Sequence, residues 1–293
     1  MARLVLAAQE RIGALLALLG AVDDHVSFEA LGLDALFCSG GREAGLDRGW
    51  PEIEATRLRT SEPRLRLLVD AEHVVSWFGA RDPSFVARLR ALAPSGVVTP
   101  SVGSTGLVWE HLLATVGGDP GAADRASLSV PGALLADGAR ALRASSWDGE
   151  RPLLMLHPGA GGIAKRWPAD GFARVLARLG SQRYAVAIHQ GPADAEAVAD
   201  FLERYRGRVI RLTDPPLPLL AGALSHATAW LGNDSGPSHL AAGLGVPTLV
   251  LFTAPNLPWS SWSAAARPLV VETETLRAAD VDRVIADLTA LLG

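Results

Sequence analysis

Residues 152–157 form an unbroken apolar run closed by Pro-Gly, the signature of a buried strand. Residues 168–179 change period: Phe172, Val175, Leu176 and Leu179 share one helical face, Pro168 suits the first helical position and Gly180 the C-terminal stop. The alternation continues along the chain. It predicts strands at 184–189, 208–212, 229–232 and 248–252, and helices at 193–205, 217–226, 238–244 and 278–292. Strands regularly separated by helices imply a parallel sheet covered on both faces, an α/β fold.

The first half is less regular but of the same kind. Strands are predicted at 4–8, 35–38, 65–69, 74–78 and 96–99, and helices at 12–19, 83–92 and 107–116. The stretch 117–148 is rich in Gly, Ala, Ser and Asp, which places a linker at 145–150 and two domains at 1–148 and 149–293. Two successive open α/β units imply a cleft between them, and ligands of such folds bind at the carboxyl ends of the strands.

Composition narrows the function classes. A length of 293 residues with 49% hydrophobic residues is ample for two cores. The net charge of −4 argues against nucleic acid as a partner. The single cysteine, Cys38, excludes an internal disulfide and fits a reducing cytoplasm. The apolar stretch 4–22 is broken by Gln9, Glu10, Arg11 and Gly13, so it does not read as a membrane span. Seven histidines without an HExxH or paired-His spacing predict no metal site.

Within this frame one residue stands out. Lys165 is the only lysine, and it lies in His157-Pro158-Gly159-Ala160-Gly161-Gly162-Ile163-Ala164-Lys165-Arg166-Trp167-Pro168. A lysine offers a compact point charge that can aim at a phosphate, where arginine offers a wide fork. Gly159, Gly161 and Gly162 let backbone N–H groups approach an anion, although the spacing is not that of a Walker loop. A second loop, Asn233-Asp234-Ser235-Gly236-Pro237-Ser238-His239, also leaves a predicted strand and opens a helix. Ser235 suits the N-cap, Pro237 the first turn, and His239 lies where it can meet an anion at the helix N-terminus. Two anion loops on one sheet fit a pyrophosphate. Asp194 and Glu196, just after a strand, are candidates for ribose hydroxyls or simply acids favoured at a helix start.

Lys165-Arg166-Trp167-Pro168 after His-Pro-Gly, followed by Gly-Asn-Asp-Ser-Gly-Pro-Ser-His-Leu-Ala-Ala at 232–242, resembles the heptosyltransferase family of bacterial glycosyltransferases. The resemblance implies the GT-B architecture, two Rossmann-like domains whose parallel sheets face a central cleft. It implies an ADP-sugar (ADP-heptose-like) donor in the C-terminal domain and a saccharide or lipid-linked acceptor, as in lipopolysaccharide-core biosynthesis, on the N-terminal side. It also implies inverting transfer without metal or cofactor, in the cytoplasm or peripherally at the inner membrane. By position, Lys165 would contact the diphosphate. Asp234, Gly236 and His239 would line the diphosphate and sugar site, and Asp194 or Glu196 would meet the ribose. Family members open their first helix with Gly-Asp, the Asp serving as base. In the ungapped frame those places are Gly13 and Ala14, so the expected base is missing. Either Glu10 substitutes for it, or the acceptor supplies its own base, or the chain is an impaired relative that binds a nucleotide sugar without transferring it. A sugar epimerase of the same two-domain type matches the loop motifs less well.

Further candidates have a plainer reading beside the functional one. Asp23-Asp24-His25 reads as surface carboxylates rather than a metal site. Arg57, Arg59, Arg64 and Arg66, interrupted by Glu62, read as a solvated face or a contact for an anionic saccharide or lipid head group. Trp109-Glu110-His111, Asn256 and Trp259 read as core or loop packing, or as sugar contacts.

Overall fold

The computed structural model describes residues 3–37, 65–119, 121, 125–180 and 183–293. Cys38, Arg57, Arg59, Glu62 and Arg64 lie outside the described residues. The chain divides into two compact units, Met1–Pro120 and Gly121–Gly293.

In the first unit the elements run β1 (Val5–Ala8), α1 (Glu10–Leu18), β2 (Asp24–Ser27), α2 (Phe28–Leu31), α3 (Arg66–Asp70), β3 (Val75–Ser76), α4 (Pro83–Leu92), β4 (Val97–Val98) and α5 (Val108–Ala114). β1 pairs with β2 and β3 with β4, both in parallel. Two predicted strands are corrected. Residues 33–36 form a 3-10 turn and 66–70 a helix. The reason is spacing: Leu33 and Leu36, and Leu65 and Leu68, are the buried residues, three apart, so the inward-facing side chains follow a helical turn rather than alternation. β2 escaped the sequence reading because Asp-His-Val-Ser carries one apolar residue.

The second unit begins with α6 (Gly132–Ala144) and continues β5 (Leu153–His157), α7 (Ala169–Leu179), β6 (Ala185–Gln190), α8 (Ala195–Arg204), β7 (Ile210–Thr213), α9 (Leu217–Leu224), β8 (Ala229–Asn233), α10 (Gly236–Gly243), β9 (Thr248–Phe252), β10 (Ala266–Val270) and α11 (Ala278–Leu292). The strands form one parallel sheet in the order β10-β9-β8-β5-β6-β7. β5, β8 and β9 are buried at every residue, as a sheet covered on both faces requires. Leu154 and Leu156 join the core beneath α7, α8 and α11, with Phe172, Phe201 and Val284. Leu153 and Met155 point the other way, into the core that holds Leu142, Leu220 and Leu224.

Helix α6 explains why the units divide before residue 121 rather than at 148/149. Its composition of Gly, Ala and Asp hid it, yet those small residues let it press onto α9. A Cβ at Gly138 would fall 2.1 Å from the Gly222 carbonyl carbon, and one at Gly222 would fall 1.9 Å from the Leu134 oxygen. The stretch 145–150, expected as the inter-domain linker, therefore lies within the second unit.

Candidate functional site

The sheet order reverses at β5. The chain builds outward through β6 and β7, then crosses back to lay β8 on the other side of β5. In open α/β sheets such a switch point forms a crevice at the carboxyl ends of the strands. The two loops singled out in the sequence leave those two strands, with His157 opposite Gly232 in the register.

Asn233 ties the loops together. It is fully buried at the end of β8. Its Nδ2 donates to the carbonyls of Pro158 (2.8 Å) and Gly159 (3.3 Å), and its Oδ1 accepts from the Trp167 amide at 3.0 Å. Both ends of the loop after β5 are thereby fixed, and Trp167 is sunk into the core edge-on to Phe172. Between these anchors Gly161 and Gly162 are exposed, with open space where a side chain would project.

Lys165 closes the 3-10 turn Ile163–Lys165. Its Nζ donates to Asp234 Oδ2 at 2.7 Å, and His239 Nε2 stands 3.4 Å from Asp234 Oδ1. Burial by itself would raise the Asp234 pKa. Hydrogen bonds from His239 and Lys165, together with their charge, more than offset this and hold the carboxyl below its ordinary value. Ser235 occupies the N-cap of α10, but its side chain caps no amide. Its Oγ lies 3.2 Å from Ser238 Oγ, which donates to the Asn233 carbonyl (2.7 Å) and accepts from Trp230 Nε1 (3.0 Å). The start of α10 is thus held from below, and its free amides remain for an anion. Gly232 is required here: a Cβ would stand 2.8 Å from both Ser238 Oγ and Trp230 Nε1.

The fold brings Gly159, Gly161, Gly162, Lys165, Asp234, Ser235, Gly236 and His239 onto two adjacent loops. The two acids after β6 separate. Asp194 is buried, its Oδ2 accepting from the Gly191 amide at 2.9 Å, and a Cβ at Gly159 would meet its Oδ1 at 2.0 Å. Glu196, by contrast, is exposed, and its side chain pairs with Arg166 at 3.1 Å. An open hollow of about 530 Å³ beside Lys165 is lined by Thr253, Asn256, Glu272 and Arg277 among others. Trp259 is 45% exposed nearby in sequence, at the end of the 3-10 segment Ala254–Trp259.

In the first unit, Glu10 rather than Ala14 opens helix α1, and Ala14 sits one turn inside it. Glu10 Oε1 lies 3.1 Å from His25 Nε2. Gly13 makes room for that ring, since a Cβ there would come within 2.9 Å of it. Asp23 accepts from the Leu4 amide and Asp24 pairs with Arg3, so both are tied into local structure. Of the arginine stretch only Arg66 is described, on α3. His111 Nε2 lies 2.8 Å from the Pro100 carbonyl. Trp109 is half-buried on α5.

Sequence spacing gave no sign of one further cluster. His157 and His189, ends of adjacent strands, meet Asp194 beneath the Gly159 turn, and among the described residues this is the group placed to hold a metal.

Residues 124–280 match the model of "Glycosyltransferase family 9 (heptosyltransferase)", more than half of the chain. Lipopolysaccharide heptosyltransferase 3 of Escherichia coli is 31% identical over 120 residues, 38% of this chain and 34% of that protein. Lipooligosaccharide heptosyltransferase 2 of Haemophilus influenzae is 35% identical over 111 residues, 36% of this chain and 32% of that protein. The matched stretch thus spans about a third of the length of these curated relatives. The solved structure of E. coli ADP-heptose LPS heptosyltransferase II shares the fold, with a TM-score of 0.64 at 21% identity over 98% of this chain and 88% of that one. No helix among the described residues is long and apolar enough to cross a membrane. With both signature motifs inside the matched residues and seated on the two loops of the switch point, the chain belongs to glycosyltransferase family 9, the heptosyltransferase family.

Proposed function

We propose that this chain binds an ADP-sugar of the ADP-heptose kind in its second unit and transfers the sugar, with inversion, to a saccharide or lipid-linked acceptor of the lipopolysaccharide-core type. The observation that carries this reading is the Lys165–Asp234 contact, which sets one ammonium and the start of α10 on the same crevice. A diphosphate there accepts from Lys165 and from the free amides of the glycine turn and of α10. Glu196 meets the ribose, and Asp234, Gly236 and His239 border the sugar.

In the transfer the acceptor oxygen bonds to the anomeric carbon on the face opposite the diphosphate. The bond from that carbon to the phosphate oxygen breaks, and the nucleoside diphosphate leaves with the electron pair. Lys165 and the helix N-terminus stabilise the charge that builds on it. The acceptor proton goes to Glu10. This glutamate opens the first helix, one turn before the place, Ala14, that an aspartate holds in the family pattern, and His25 restrains it. The chemistry asks nothing of a cofactor.

Calorimetric titration of ADP into wild type and Lys165→Ala tests the donor half. A loss of tenfold or more, the scale of one charge-assisted hydrogen bond, is expected. Equal affinities end the assignment. The rival reading, a partner protein that binds nucleotide sugar without transferring it, rests on Ala14. Donor consumption measured with a panel of nucleotide sugars and core-oligosaccharide acceptors separates the two.

A further inference from the structure

Beneath the Gly159 turn, at the carboxyl ends of β5 and β6, three polar side chains are sealed into the second unit: His157 (2% exposed), His189 (5%) and Asp194 (7%). The two imidazoles meet Nδ1 to Nδ1 at 3.1 Å, with ring centres 5.0 Å apart and planes tilted by 47°. Asp194 Oδ2 lies 3.9 Å from His157 Nε2. One ligand atom from each residue can be taken so that all lie within 4.8 Å of one another.

A shared proton accounts for only part of this. If His157 donates from Nδ1, to His189 Nδ1 or to the His189 carbonyl at 3.3 Å, its Nε2 is a bare lone pair facing a carboxylate oxygen. If His189 donates instead, His157 Nε2–H faces that oxygen at 3.9 Å, too far for a hydrogen bond. Neither tautomer gives His157 Nε2 a hydrogen bond to Asp194: the first sets a lone pair against the carboxylate, the second leaves the N–H short of it.

We propose that His157, His189 and Asp194 form a site for one divalent transition ion of the zinc type. Two nitrogens bound to a tetrahedral zinc at about 2.0–2.1 Å stand about 3.3 Å apart, close to the separation of the two Nδ1 atoms. Imidazole with one carboxylate and no thiolate is a set suited to zinc, iron or nickel. Asp194 completes the set by moving about an ångström toward the rings, while the Gly191 amide that it accepts from steadies it from outside. On binding, the ring that donates from Nδ1 moves that proton to its own Nε2, so both imidazoles stay neutral and both Nδ1 lone pairs are free for the ion. Its role is a clamp. It joins the loop after β5 to the loop after β6, and so fixes the turn that carries Lys165. The inference stands apart from the proposed transfer, because it needs no nucleotide sugar.

The test uses full-length protein without an affinity tag, from cells supplied with zinc. Metal content is measured directly, then again after unfolding with chelator and refolding with Zn²⁺ or Co²⁺. We expect about one ion per chain, visible bands of tetrahedral cobalt, and a higher melting temperature with the ion than without it. His189→Leu and Asp194→Asn lose the ion, whereas His226→Gln, at a histidine outside the cluster, keeps it. Wild type that is metal-free as purified and refolds with Zn²⁺ or Co²⁺ to an unchanged melting temperature overturns the proposal. So does retention of the ion by both cluster variants. The wild-type measurement decides even if a variant fails to fold.

Discussion

Lys165 and Asp234, 69 residues apart, meet at 2.7 Å, and the carboxylate of the pair is 6% exposed while the ammonium is 38% exposed. The acid is therefore the anchored partner and the lysine the one that can turn outward. In the proposed cycle the lysine divides its charge between Asp234 and the diphosphate. Asp234→Asn keeps the shape but releases the lysine, and it removes a negative charge from the diphosphate's surroundings. The expected outcome is a several-fold gain in affinity for ADP by calorimetry, together with a loss of sugar transfer.

The same pair sets a pH dependence of stability. The folded pKa of Asp234 lies below its ordinary value of 3.8. A carboxylate depressed in this way stabilises the fold fully above its unfolded pKa, and that contribution fades as pH falls through the folded pKa. Melting curves of wild type and Asp234→Asn are therefore expected to differ at pH 6 and to converge as the pH is taken below about 4. A difference that stays constant over this range would count against the charge pairing.

Asn233 offers a test of the scaffold. Asn233→Ala leaves the Trp167 amide and the Pro158 carbonyl without the partner that now satisfies them in the interior. Unpaired buried polar groups cost about 1–3 kcal/mol each. The variant is expected to unfold at clearly lower denaturant concentration. Because the glycine turn hangs from this residue, ADP affinity should fall as well, although Asn233 is itself buried.

The glycine contact between α6 and α9 predicts a purely structural defect. Gly222→Ala puts a methyl group against the Leu134 carbonyl oxygen, where a Cβ has 1.9 Å. Backbone cannot yield as a side-chain tip can, so the helices must part. Overpacking of this kind costs about 1–3 kcal/mol, read as a shift in the unfolding midpoint. At temperatures where the variant stays folded, ADP affinity should be that of wild type.

The second unit was legible because its strands are buried on both faces, so apolar runs such as 152–157 and 248–252 had no alternative partner pattern to imitate. Its loops were legible because Pro, Gly and the lone lysine mark them. What failed had local causes. Helix α6 keeps an apolar face of Leu134, Leu135 and Leu142, but the glycines that let its backbone touch α9 read as loop residues. β2 carries its histidine on the side that α1 covers, against Gly13, so its sequence resembles a surface loop. The burial of Asp194 depends on the Gly159 turn, far along the chain, and its own neighbours in sequence give no sign of it. The meeting of His157 with His189 follows from strand adjacency, which spacing does not encode.

Glu10 carries the last prediction. The ungapped motif frame put the missing base at Ala14, yet the helix begins at Glu10, and Ala14 is half-buried a turn further on. If Glu10 accepts the acceptor proton, Glu10→Gln lowers transfer by about 10²–10⁴-fold, the usual contribution of a positioned base. ADP affinity is expected to stay unchanged, since Glu10 has no part in donor binding. His25→Asn releases the glutamate from its 3.1 Å contact and should lower kcat by a smaller factor, with KM for the donor unchanged. Ala14→Asp separates the alternatives. An acid inside the helix, away from its opening, should not raise transfer in wild type and should not rescue Glu10→Gln. A strong gain from Ala14→Asp would return the base to the motif position and leave Glu10 as a helix-opening residue alone.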